Sequence, residues 1–361
     1  MKIALRTSTA AMLAALILLL AACSGNEKAS VEPSEVSESQ SPETASPTPE
    51  PTPMPYNAPL TGEPRETEAV SRPIAIMINN FSAARPQSGL TNADVVWEVL
   101  AEGGITRLVA IFQSTDSIAD TVGPIRSNRA YLIDIADSYG AVMVHAGGSP
   151  EAYGILQKQG KPYLDEITNA GSYYWRSKDR KAPHNLYSNL EKLRAGAEKK
   201  GYKTDVTVPT YPFSEAGTAG GSASAETVTS FDISFLMKDY IVGYSYDEAS
   251  GLYKRTIDGE PHIDMNNNEQ LAAANLVVFE ASHRTLDNVG RLGIDLESGG
   301  AGYLFQKGKK IDIEWVRSPD GMIRFVKDGQ EVSFVPGKTY IHVVPNRPEL
   351  SQHVTLHGNS N

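Results

Sequence analysis

Ile74-Ala75-Ile76-Met77-Ile78, closed by Asn79-Asn80, is an apolar run without polar alternation. A run this short, bounded by turn formers, reads as a strand buried on both faces. Such a strand needs partners in its plane and covering layers above and below. Residues 94–102 and 105–113 supply two further strands, joined at Gly103-Gly104 as a two-residue hairpin. Ser127 is placed to N-cap a helix running to about residue 139, with Tyr131, Ile135 and Tyr139 on one face. Ala141-Val142-Met143-Val144 reads as another strand. Ser149-Pro150-Glu151 opens a second helix with proline at its tolerated first position. A third helix is expected over residues 186–199. Strands interleaved with helices predict an α/β or α+β N-terminal domain over residues 67–207.

Residues 212–230 are rich in Gly, Ala and Ser, and read as an interdomain linker (208–227) or a long exposed loop. Beyond it come short strands at regular spacing: residues 241–246, 252–257, 311–316, 323–326 and 339–344. The first Asp-Gly pair, Asp258-Gly259, follows residues 252–257, and Asp320-Gly321 and Asp328-Gly329 flank residues 323–326. Asp-Gly between alternating runs is a hairpin signal, so a mainly-β C-terminal domain is expected over 228–346, followed by a tail over 347–361.

The amino terminus is a targeting segment. Lys2 and Arg6 precede an apolar run over residues 10–22, too short for a membrane span, that ends in Leu20-Ala21-Ala22-Cys23. This resembles the bacterial lipobox, which implies a signal peptide over 1–22 and lipid on Cys23. The alternative is an ordinary secretory signal with Cys23 as a bystander. Two or three acyl chains, at about 0.8 kcal/mol per buried CH₂, would hold the protein on the membrane, facing outside the cytoplasm. Residues 23–66 read as a disordered tether: nine of the 22 prolines fall there, with many Ser, Thr and Glu and hardly any large aliphatics. The only cysteine leaves no thiol for a disulfide or a Cys-based zinc cluster, and a net charge of −10 argues against a nucleic-acid partner.

Five motifs in order resemble the YerB-like bacterial lipoproteins. They are Arg72-Pro73-Ile74-Ala75-Ile76-Met77-Ile78-Asn79-Asn80, Ala84-Arg85-Pro86-Gln87-Ser88-Gly89-Leu90, Glu102-Gly103-Gly104-Ile105-Thr106-Arg107, Gly123-Pro124-Ile125-Arg126-Ser127 and Ala182-Pro183-His184-Asn185. Tyr253-Lys254-Arg255 and Pro336-Gly337-Lys338-Thr339-Tyr340 extend the resemblance, which covers about residues 65–345. It implies a lipoprotein of two domains of unknown function and brings no reaction, ligand or catalytic residue.

Three constellations carry chemistry. With Gly103-Gly104 as the loop, Leu100 would face Arg107, and Asp94, Glu98 and Glu102 would share one face with Arg107 diagonal to both glutamates. That is an acidic pair tuned by an arginine, or a salt-bridged face that orders the sheet. Arg126, Ser127 and Arg129 at a helix start would present donors to a carboxylate or phosphate, or else pair with Glu98, Glu102 or Asp134. His145 lies at a strand end before Gly147-Gly148, and His184 follows Trp175-Arg176. Either histidine could join a glutamate in catalysis or hold a loop by hydrogen bonds, and their spacing is not that of a helical zinc site. His262, His283, His342, His353 and His357 receive no role.

The expectation is a binding or scaffolding lipoprotein at the cell envelope. It would use Arg107, Arg126, Ser127, Arg129, Arg176, His184 and Asn185 around an anionic group of a wall polymer, an anionic peptide or an envelope protein, without cofactor or metal. The rival is an envelope hydrolase using Glu98 or Glu102 with His145 or His184. A third reading is a structural partner of a membrane complex, docked through the β domain.

Overall fold

The computed structural model describes residues 54–115 and 120–357. The signal peptide, Cys23 and the first part of the tether lie outside the described residues. The described residues form one compact unit. The strands and helices that position the site are β1 (Ile74–Asn79), β2 (Val95–Leu100), β3 (Thr106–Phe112), α1 (Ala130–Ser138), β4 (Val142–His145), α2 (Pro150–Lys158), β5 (Tyr163–Asp165) and α3 (Leu190–Lys199). In the C-terminal half follow β6 (Ser230–Ser234), β7 (Ile241–Asp247), β8 (Leu252–Ile257), β9 (Asn275–Ala281), β10 (His283–Thr285), β11 (Leu292–Ile294), β12 (Gly300–Gln306), β13 (Lys309–Arg317), β14 (Ile323–Lys327), β15 (Thr339–Pro345) and β16 (Val354–His357). The N-terminal half is thus a mixed sheet with helices, and the C-terminal half is mostly antiparallel β.

The two halves share a 12-stranded sheet, in the order β14-β13-β12-β9-β15-β2-β3-β1-β4-β5 with two short edge pieces. The junction is a parallel pairing of β15 with β2, from Thr339↔Val95 to Val343↔Val99. Every residue of β1, β2, β3 and β15 is buried, which explains their largely apolar composition. One face of the sheet packs against α1 and α2 around Trp97, Tyr139 and Phe279. The opposite face carries α3 and a second, six-stranded sheet in which β8, β7, β6 and β16 are neighbours.

Strand directions gather the chemistry at one border. β9, β15 and β2 run parallel to one another, as do β1, β4 and β5, and β3 lies antiparallel between β2 and β1. All six parallel strands therefore end at the same edge, where β3 begins. Asp165, His145, Asn79, Leu100, Pro345 and Ala281 are the last residues of those strands.

Several expectations change. The tether does not extend to Glu66: Tyr56–Asn57 pairs with Pro64–Arg65, and Ala58, Leu60 and Thr61 are buried. Gly103-Gly104 is not a two-residue hairpin. Both glycines have positive φ inside a 3-10 turn, the loop spans residues 101–105, and the register becomes Val99↔Arg107 and Glu98↔Leu108. Side chains alternate, so a one-residue change of register puts Glu98 and Arg107 on opposite faces of the sheet. Ser127 does not cap α1; Arg129 occupies that position in extended conformation without a side-chain cap. Ser149 does cap α2, accepting from the Ala152 amide at 3.2 Å. α3 starts only at Leu190, capped by Asn189, because Leu186–Tyr187 pairs with Trp175–Arg176. Residues 212–230 are no free linker: Ala219 is fully buried and its amide donates to Gln306 Oε1 at 2.9 Å. The segment after residue 347 adds β16 to the second sheet beside β6 instead of trailing as a tail.

Candidate functional site

Two polar assemblies occupy opposite faces of the shared sheet near its common edge. The first is buried. Glu98 on β2 is 1% exposed and receives Arg255 Nη2 at 2.8 Å, Thr106 Oγ1 at 2.7 Å and the hydroxyl of Tyr240. The His342 ring lies 3.1 Å from the same carboxylate. Arg255 also donates to Tyr244 Oη at 2.8 Å and to His262 Nδ1 at 2.9 Å. That bond makes His262 Nε2 the protonated nitrogen, which donates to Gln87 Oε1 at 2.6 Å. Gln87 Nε2 then donates to Asn80 Oδ1 at 2.8 Å, and Asn80 Nδ2 returns to Thr106, Tyr240 and Glu98. Burial raises the Glu98 pKa, but Arg255, His342 and Tyr240 outweigh it and hold the carboxylate ionised, below its ordinary range. The network is closed and carries charge, with its partners drawn from both halves of the chain. Its chemistry is that of a fastener.

The second assembly gathers four arginines and a histidine, with Arg129 at the start of α1 and Arg176 and His184 in the segment between β5 and α3. Arg107, at the start of β3, is 7% exposed. Its one hydrogen bond runs from Nη1 to the Ser127 carbonyl at 2.6 Å, and Nε has no partner. Among the described residues no carboxylate lies within salt-bridge distance of Arg107 or Arg126. Arg129 forms a bidentate pair with Glu102, with Nη2 2.8 Å from Oε2. Arg176 reaches Glu166 at 3.1 Å and Asn185 Oδ1 at 3.1 Å. Burial pushes the Arg107 pKa down to about 10, helped by the charge of Arg129. Burial also lowers Arg126, and Arg129 adds to the effect. His184 accepts from Asn79 Nδ2 at 2.8 Å through Nδ1, which leaves Nε2–H as its donor, and its ring stacks on Phe81. Partial burial together with Arg126 and Arg180 lowers the His184 pKa. These cations feel one another, and Glu102 and Glu166 are the acids paired with them. Beside them, Ser127, Arg129, Gly148, Ser149 and Arg291 line an open pocket of about 420 Å³.

The sequence candidates therefore separate. Glu98 belongs to the buried fastener. Glu102, Arg107, Arg126, Ser127, Arg129, Arg176, His184 and Asn185 belong to the cationic basin. His145 is fully buried: its Nδ1 lies 2.9 Å from the Gly147 carbonyl and 3.5 Å from Asp165, and Tyr163 stacks on the ring. Among the described residues no hydrogen bond or ion pair joins Glu98 or Glu102 to His145 or His184. Nor do any three His, Cys, Asp or Glu side chains there form a group able to hold a metal ion. The partners of Glu98 escaped the sequence reading, although one signal was present. Arg255 sits on the buried phase of β8, alternating with Tyr253 and Ile257, and an arginine in that phase requires a buried acid.

Residues 60–203 match the model of the N-terminal domain, and residues 231–341 that of the C-terminal domain, of the family described as "Protein of unknown function (DUF3048)". The chain belongs to this family. It is also 39% identical over 290 residues, 80% of its length and 86% of the relative's, to the Bacillus subtilis (strain 168) protein named "Putative lipoprotein YerB". The crystal structure of the Bacillus subtilis YerB protein superposes with a TM-score of 0.75 at 37% identity, covering 84% of this chain and 100% of that one. The two family domains meet in this chain at the β2–β15 junction, within a single sheet. The Glu98 network therefore joins the two domains of the family.

Proposed function

We propose that this protein is an envelope lipoprotein, anchored through Cys23 outside the cytoplasm, whose N-terminal half binds an anionic group of a wall polymer or peptide. The anchor is supported by the lipobox-like Leu20-Ala21-Ala22-Cys23 and by the name of the relative. Cells fed a labelled fatty acid should label the wild type and leave Cys23→Ala unlabelled; an unlabelled wild type ends the anchoring account.

The observation that carries the binding role is the buried guanidinium of Arg107, which has no salt bridge among the described residues, beside the likewise unbridged Arg126, in a chain of net charge −10. A buried charge without a partner costs several kcal/mol, so a ligand that supplies the missing anion is strongly favoured there. Arg126→Ala with Arg129→Ala should weaken binding of anionic wall fragments at least about tenfold, the loss of one or two charge-assisted hydrogen bonds. Arg107→Met should abolish binding while leaving unfolding free energy unchanged or raising it by about 1 kcal/mol, since it removes an uncompensated charge. Full binding by the folded double variant counts against the proposal. No observation favours a hydrolase using Glu98 or Glu102 with His145 or His184.

A further inference from the structure

A second pocket, of about 440 Å³, opens in the C-terminal half where β9 and β15 end side by side. In open sheets, the space beyond the carboxyl ends of parallel strands is the ordinary place for a ligand, because chain reversals leave a crevice there. Ser282 and His283 follow β9, and Asn346 and Arg347 follow β15; Arg284 comes from β10, and Leu236 and Leu292 form an apolar wall. Neither Arg284 nor Arg347 makes a salt bridge to a carboxylate among the described residues. The carbonyl of Ala281 only accepts, so the His283 Nδ1–H donates to it at 2.9 Å, and Nε2 is left with a lone pair. That Nε2 is buried and has no partner. The His283 ring lines the same crevice as the exposed Arg284 and Arg347, neither salt-bridged among the described residues, so the crevice suits an anion for the arginines next to a hydrogen-bond donor for the histidine.

We propose that this crevice is a binding site for a hydroxyl-bearing anion, a phosphorylated polyol or a sugar acid, held by Arg284 and Arg347 with its hydroxyl donating to His283 Nε2. The carbon skeleton lies against Leu236 and Leu292. The site is separate from the Arg107 basin and does not depend on it.

The test follows the ring nitrogens of His283 by NMR in the full chain, assigned with His283→Gln, during titration with glycerol 1-phosphate, glucuronate and sulfate. A saturable shift of Nε2 is expected with at least one of the first two. It should weaken at least about tenfold in Arg284→Ala with Arg347→Ala and persist in Arg126→Ala. Tighter binding of glycerol 1-phosphate identifies a phosphorylated polyol, and tighter binding of glucuronate a sugar acid. Sulfate carries no donor at neutral pH, so equal binding of sulfate would overturn the role of His283. A shift that survives the double arginine variant, or no shift with either organic anion, overturns the site. The Gln variant gives an independent check: His283→Gln, with its folding verified by circular dichroism, should cut affinity for the hydroxylated anion more than for sulfate.

Discussion

Arg255→Ala is expected to lower the unfolding free energy by about 3–5 kcal/mol, the largest effect of any single substitution considered for this chain. The loss comes chiefly from what is left behind. Glu98 would remain as a carboxylate at 1% exposure with its cation gone, and water could not replace it. His262 Nδ1 and Tyr244 Oη would lose their donor at the same time. Urea unfolding monitored by tryptophan fluorescence measures this directly, because Trp97 sits on the same strand as Glu98. Glu98→Gln should cost less than Arg255→Ala, since the amide keeps an acceptor for Thr106 and Tyr240. A loss below about 1 kcal/mol for Arg255→Ala would mean that the network does not fasten the two halves.

Acidification should destabilise the protein from about pH 6.5 downward. Burial lowers the pKa values of His145, His262 and His342, each less than 5% exposed. Below the ordinary histidine pKa, near 6.5, the unfolded chain takes up protons that these folded rings refuse, so stability falls as pH falls. Each ring contributes up to about 1.4 kcal/mol per pH unit, so the three together reach about 4 kcal/mol per unit. Glu98 acts in the same direction at lower pH. Its folded pKa is depressed, so its contribution is complete above about pH 4.5 and is lost as pH falls through the folded value. Unfolding free energies at pH 7, 6 and 5 give the slope, and His262→Gln should flatten it. A flat profile between pH 7 and 5 contradicts neutral burial of these rings.

Much of the fold was legible because it rests on local patterns. Unbroken apolar runs marked β1 and β4 as strands, Ser149-Pro150 marked the start of α2, and Asp258-Gly259 marked the turn after β8. What was not legible depends on register and on distant partners. Two adjacent glycines can close a two-residue hairpin or, as here, enlarge a loop to five residues, and the choice decides whether Glu98 and Arg107 share a face of the sheet. The sharing of one sheet between the halves was equally hidden. The β2–β15 pairing joins residues some 240 positions apart, and no local periodicity encodes it. The arginine motifs were visible as candidates, but the feature that sets Arg107 and Arg126 apart is that, among the described residues, neither forms a salt bridge, because the nearby Glu102 is taken by Arg129. That belongs to three-dimensional space.

The most direct test of the anionic-ligand account is the titration of His184. Its Nδ1 is bonded to Asn79, and the positive charge of Arg126 lies close enough to depress its pKa. Occupation of the basin by phosphate, or by an anionic wall fragment, should neutralise that field and raise the His184 pKa measured by NMR. Arg126→Ala should raise it in the free protein and remove the response to ligand. A His184 pKa that stays unmoved at saturating anion, in a folded wild-type chain, would show that nothing negative binds where Arg107 and Arg126 stand unpaired.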